Sequence, residues 1–260
     1  MNELTEHKAA LVVEYDGTRY HGFQDQPELG TVQFEIESAI ERLTSEKVRV
    51  RAAGRTDSGV HAKGQVVAFS TDNMLPSPKL ISGLNHFLPE DIAVKEAYHT
   101  DSGFDPRRHA LSRLYEYAII NSRLRSPLRE RYAVRVQEKL DDVAMRRALR
   151  YLEGVHDFAN LSGPVLPGMS TIRNICSTSV QRKDDTVRVR VEANAFLPNQ
   201  MRRIAGLLVA VGSKRVPAEG ALETLQGTID PWSTGVARTM APQGLCLMQV
   251  NYKDFPPDGY

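Results

Sequence analysis

Apolar residues recur along the chain with two distinct periods. In TVRVRVEA, Val187, Val189 and Val191 alternate with Arg188 and Arg190, the period of two that puts one face of a strand on a core and the other in water. The same alternation, or a run of β-branched residues, predicts strands at 9–15, 48–53, 65–70, 92–98, 114–120, 132–136, 187–193 and 245–252. Elsewhere the spacing is three or four. Val32, Ile36, Ala39, Ile40 and Leu43 follow the capping residue Thr31, and Val143, Met145, Ala148, Leu149 and Leu152 precede Gly154, so helices are expected there. Two more are expected, at 200–211 after Asn199 and at 218–225 before Gly227.

Strands and helices come in unequal blocks rather than in strict alternation, which favours an α+β fold with mainly antiparallel sheets over a doubly wound one. NSRLRSPLRE at 121–130 is polar, contains Pro127 and offers the best break between two halves. An N-terminal half, 1–120, and a C-terminal half, 121–260, of similar strand content would leave a central cleft between them.

Composition changes this picture little. The longest apolar run, Leu207 to Val211, is far short of the ~20 residues a membrane helix needs. The opening MNELTEHKAA lacks a basic leader followed by an apolar stretch, so a cytoplasmic protein is expected. Cys176 and Cys246 are far apart and the seven histidines never fall at zinc-ligand spacing, so neither a disulfide nor a metal is expected.

Charge changes it more. The chain is +1 overall, yet between Arg107 and Arg150 eleven Arg and one Lys face five acids, which makes this segment +7 and the remainder −6. Local clustering rather than net charge sets the field that phosphates meet. Arg outnumbers Lys 24 to 9, and the planar guanidinium suits phosphates and base edges better than an ammonium does. On charge alone, a nucleic-acid track and a solvated face of locally paired arginines are both open.

The stretch AAGRTDSGVHAKGQVVAF, residues 52–69, carries the most pointed chemistry. A strand that ends at Gly54 and another that resumes at Gln65 make 55–63 a loop over a sheet end, a common place for function. In Asp57-Ser58-Gly59 the carboxylate can accept backbone amides of an Asx-turn. Held so, with Arg55 nearby, it stays ionised and nucleophilic; a purely structural turn is the other reading. Asp57-Ser58-Gly59 and Asp101-Ser102-Gly103 also repeat the tripeptide of aspartic proteases, whose chemistry needs two carboxylates sharing a proton. Arg55-Thr56 and His99-Thr100 precede them in place of apolar strands, however, and 44 residues leave little room for two lobes. His156-Asp157 lacks further metal ligands, and GTRYHG and GVHAKG lack the GKS/GKT ending of a phosphate loop.

Taken with its surroundings, AGRTDSGVHAKGQV resembles the catalytic motif of the tRNA pseudouridine synthase A family. Five further blocks follow the family's order: YDGTRYHGFQDQ with TVQ; Phe104, Arg107, Ala110, Arg113 and Tyr115 of F-x-x-R-x-x-A-x-x-R-x-Y; HDF at 156–158; NAFLPNQMRRIAG at 194–206; and APQGLCL at 241–247. Six ordered blocks are specific where any one is weak. Three departures stand out: Phe23 for the family's Trp, Asp105-Pro106 for its His-Ala, and Arg202 for Val in its MVR.

The resemblance implies a pseudouridine synthase fold and isomerisation of uridine to pseudouridine at positions 38–40 of the tRNA anticodon stem-loop. It implies no cofactor and no metal, and a homodimer that holds tRNA across both subunits. By resemblance Asp57 is the nucleophile, Arg203 pairs with its carboxylate, and Tyr115 stacks on the target base and serves in removal of the C5 proton. Arg55 fills the gap when the base leaves its stack, and Leu245 walls the pocket. Arg107, Arg113 and the rest of the +7 segment then become a track for the RNA backbone. A non-catalytic RNA-binding protein remains the alternative.

Overall fold

The structure, a computed structural model, describes residues 7–256. They divide into two compact units, residues 7–111 with 247–256, and residues 112–246. Each is α+β, with a mainly antiparallel sheet.

In the first unit, β1 (His7–Tyr15) lies between β3 (His61–Thr71) and β4 (Ile92–Thr100), antiparallel to both, and the two-residue β2 (Arg51–Ala52) pairs with β3. Helix α1 (Val32–Thr44) begins where Thr31 Oγ1 accepts the Phe34 N–H and ends at Ser45 in the left-handed conformation. Its buried face, Val32, Ile36, Ala39 and Ile40, is the one the spacing predicts. Helix α2 (Ser77–Phe87) packs on α1 and β4. Leu11, Ile36, Ile40 and Leu84 are fully buried here, each contributing about 1.5–3 kcal/mol.

In the second unit, β5 (Ser112–Asn121), β6 (Val134–Val136), α3 (Asp142–Arg150), β7 (Gly154–Asp157), β8 (Ile172–Lys183), β9 (Thr186–Ala193), α4 (Gln200–Gly212) and α5 (Gly220–Gln226) follow in turn. The sheet order is β5–β9–β8–β7, all antiparallel, with β6 parallel to β5. The polar face of TVRVRVEA is accounted for across the ladder: Glu116 on β5 accepts from Arg190 Nε (2.7 Å) and Arg188 Nη1 (3.2 Å). The last strand, β10 (Leu245–Asn251), returns to the first unit from Leu247 onward. There it lies beside β3, and Asn251 O accepts the Leu111 N–H.

Three expectations shift. The strand expected at 48–53 shrinks to β2 because Val50 donates its N–H to Glu37 on α1 rather than to a neighbouring strand. β3 starts at His61, so the loop before it is 53–60. Residues 121–130 do not divide the chain. Asn121 N–H donates to Asp185 O, and Arg129 grips the Asp185 carboxylate with two bonds of 2.7 Å, so the break falls at Leu111/Ser112 instead. Among the described residues no helix is long and apolar enough to cross a membrane.

Candidate active site

The Asp57 loop is held by its own unit. Thr56 and Val60 are buried while Arg55, Asp57 and Ser58 are exposed. Behind it, Gln65 Nε2 donates to Gly54 O (2.8 Å) and Ala53 N–H to Val66 O (2.8 Å). In front, the segment after β1 clasps it. Thr56 Oγ1 is 2.7 Å from Tyr15 Oη, Phe23 N–H donates to Thr56 O, and Ser58 Oγ and Gly59 N–H both donate to Tyr20 O. Val60 N–H donating to Asp57 O closes the turn, with Gly59 at φ +75°.

Two glycines make the clasp close. A Cβ on Gly17 would stand 2.0 Å from Val60 O, and one on Gly22, at φ +95°, 2.8 Å from Thr56 O. His61 at the base of β3 lies 3.1 Å from Gly17 N and 3.2 Å from Asp16 Oδ1 through one nitrogen, Nδ1. YDGTRYHGF and GRTDSGVHA therefore pack as one structural object. Phe23, the departure from Trp, is buried at 6.2 Å from the Tyr15 ring. Asp101-Ser102-Gly103, the second copy of the protease tripeptide, forms a turn after β4, closed by Phe104 N–H on Asp101 O.

The other expected residues belong to the second unit. Tyr115 on β5 is 8% exposed and meets Phe196 edge-on at 4.9 Å. Leu245 opens β10 and is 5% exposed. Arg203 lies in the first turn of α4, its guanidinium 5.1 Å from the centre of the Trp232 ring. Its neighbour Arg202 is fixed by hydrogen bonds, with Nε donating to Met240 O (2.7 Å) and Nη1 to Asn199 Oδ1 (2.7 Å). Tyr117 donates to Ala241 O (2.6 Å), and burial pushes its phenol pKa up against the opposing pull of the Arg202 charge.

The basic segment is partly spent. Arg125 and Arg135 pair with Glu130, Arg129 with Asp185, Arg146 with Asp142 and Arg147 with Glu219. Arg113, expected at the RNA backbone, is 7% exposed and donates to Asn194 O at 2.7 Å, a tie inside the unit rather than a presented cation. Arg107 is exposed, and its own N–H and that of Arg108 donate to Asp105 Oδ1. Asp105, the replacement for the family's His, thus organises the turn that carries Arg107, with Arg51 3.2 Å from its other oxygen.

The chain thus presents an exposed aspartate on a clasped, glycine-dependent loop of an α+β unit. A profile of the tRNA pseudouridine synthase family matches residues 11–107 and 148–253, and the chain belongs to that family. It is 42% identical over 248 residues to tRNA pseudouridine synthase A of Myxococcus xanthus, covering 95% of this chain and 92% of that one. The protein of the same name from Geobacter sp. (strain M21) is 40% identical, with 94% and 98% covered. That from Acetivibrio thermocellus is 38% identical, with 93% and 98% covered.

Proposed function

We propose that this chain isomerises uridine to pseudouridine in tRNA, at positions 38–40 of the anticodon stem-loop, with Asp57 as nucleophile. The observation that carries the reading is the Asp57 loop itself: Thr56 and Val60 are buried, Thr56, Ser58 and Gly59 are hydrogen-bonded to a second motif, and Asp57 is exposed. In the reaction the bond from uracil N1 to ribose C1′ breaks, one from C5 to C1′ forms, and the C5 proton leaves as N1 gains one, so product and substrate are isomers. Asp57 attacks the ring or C1′ and is released again. Bound RNA supplies the water exclusion that the free loop lacks.

Tyr115 stacks on the target base and assists C5 proton removal. Arg55, exposed two residues before Asp57, occupies the space the base vacates. Leu245 supplies an apolar wall. The counter-charge for the carboxylate comes from the arginine pair of α4. The resemblance points to Arg203, whereas the hydrogen bonds on Arg202 favour Arg202 as the cation held in place. Arg107, Arg113 and the exposed arginines of the rest of the basic segment follow the RNA backbone. The working form is a cytoplasmic homodimer.

The test is release of tritium from C5-labelled uridine in unmodified tRNA, with Asp57→Ala in parallel. Release by the wild type and none by the variant, which still binds tRNA, supports the reading. Equal behaviour of the two proteins would leave a non-catalytic RNA-binding protein as the better account.

A further inference from the structure

The second unit contains a cleft of about 220 Å³ whose lining includes Asn160, Arg203, Gly227, Ile229, Asp230 and Trp232. Arg203 is its unusual member. The guanidinium rests on the Trp232 ring, Nε is buried without a hydrogen-bond partner, and among the described residues the side chain makes no hydrogen bond or ion pair. The Nε–H donor is thus buried and unspent in the cleft wall, which is costly unless a ligand takes it up, while the half-buried terminal nitrogens remain able to donate to that same ligand.

The remaining walls narrow the ligand. Asp230 Oδ1 accepts the N–H groups of Trp232 and Ser233, and these bonds hold its carboxyl below the usual range, so it is an anion beside the Arg203 cation. Asn160 donates Nδ2 to Leu225 O and takes the Trp232 indole N–H on its own backbone oxygen, which keeps Oδ1 as an acceptor. A side chain on Gly227 would come within 2.9 Å of Asn160 Nδ2. Trp232 and Ile229 supply apolar surface. A phosphate in this space would meet Asp230, a metal cation would meet Arg203, and an apolar group would leave the guanidinium stranded. A neutral flat ring with donors and acceptors on its edge satisfies every wall. The volume, below the ~300–1,000 Å³ of drug-sized sites, has room for one such ring.

We propose that the Arg203–Trp232 cleft binds an unstacked nucleobase of the tRNA substrate, a nucleotide other than the uridine that is isomerised. The inference rests on the tRNA reading above. It gives Arg203 a substrate contact through stacking and edge hydrogen bonds, as single-stranded RNA is commonly read.

Trp232 is the only tryptophan of the chain, so its emission reports on this cleft alone. The full-length protein is titrated with an unmodified tRNA transcript while tryptophan emission and filter retention of labelled tRNA are followed together. The expected result is an emission change that saturates with retention. It should be largely lost in Arg203→Gln and in Asn160→Ala, whose retention should weaken about five- to a hundredfold, the range for losing one base stack. Asn160→Ala keeps the test decisive should Arg203→Gln fail to fold. Retention with unchanged emission overturns the base site and leaves the tRNA reading standing. Absence of retention overturns the tRNA reading and the base site with it. The same emission change with inorganic phosphate alone overturns the base in favour of an anion.

Discussion

Tyr15 Oη and Thr56 Oγ1 lie 2.7 Å apart, both buried, so the residue before the nucleophile is tied to the end of β1. A net hydrogen bond contributes about 0.5–1.5 kcal/mol, and a buried hydroxyl deprived of its partner costs about 1–3. Thr56→Val is therefore expected to lower stability by about 1–2 kcal/mol and to reduce kcat more than tRNA affinity, with Thr56→Ser restoring both. Urea unfolding and single-turnover tritium release measure the two effects; wild-type turnover in Thr56→Val would mean the tie does not position Asp57.

Gly17 offers a sharper test of the clasp, because a Cβ there stands 2.0 Å from the backbone oxygen of Val60. Backbone must move to admit it, so Gly17→Ala should cost ~2 kcal/mol or more and depress turnover. Gly103→Ala, where nothing lies within 4 Å, is the control and should change neither. A Gly17→Ala protein with the control's melting temperature would show that the loop yields easily.

Asp105 links stability to pH. Burial raises its pKa, but the N–H groups of Arg108 and Arg107 and the Arg51 guanidinium outweigh burial and bring it below the ordinary 3.8. A carboxyl with a depressed folded pKa stabilises above its unfolded pKa and loses that contribution as pH falls through the folded value. Asp105→Asn should thus be less stable than wild type at pH 7, with the gap closing below pH 3.8. Denaturant midpoints across that range check it; a gap constant with pH would remove the charge from the explanation.

The two arginines of α4 separate by kinetics. Arg202→Ala discards bonds to Met240 O and Asn199 Oδ1 and is expected to lower kcat for tritium release by a hundredfold or more, about 2.7 kcal/mol in barrier. Arg203→Ala should act mainly on KM. The reverse pattern would assign the counter-charge of Asp57 to Arg203.

Where one face of an element is clean, the sequence was readable. Thr31 and the spacing behind it mark α1, and the valines of β9 mark its buried side. β8 escaped because only Ile175 and Val180 along IRNICSTSVQRK are buried and the register shifts between Ile175 and Ser177. α2 escaped because Gly83 and Asn85 interrupt its stripe; Asn85 is spent on both backbone groups of Val94. At the candidate site, Asp57 and Tyr115 carry motifs that can be quoted. The Trp232 cleft joins positions 72 residues apart through a bond from the indole to the Asn160 backbone, and no local pattern announces such a pairing. Arg113 matched a motif, yet in the fold it is buried and donates to the backbone oxygen of Asn194, 81 residues away.

The first unit is discontinuous, completed by residues 247–256. On a ribosome adding about 5–20 residues per second, the edge of β3 that β10 covers waits on the order of ten seconds while the second unit is made. An uncovered edge is a template for pairing with other chains. The nascent protein is most prone to aggregate with its nucleophile loop already synthesised, and truncations ahead of Leu247 should accumulate in the insoluble fraction although every residue of the loop is present.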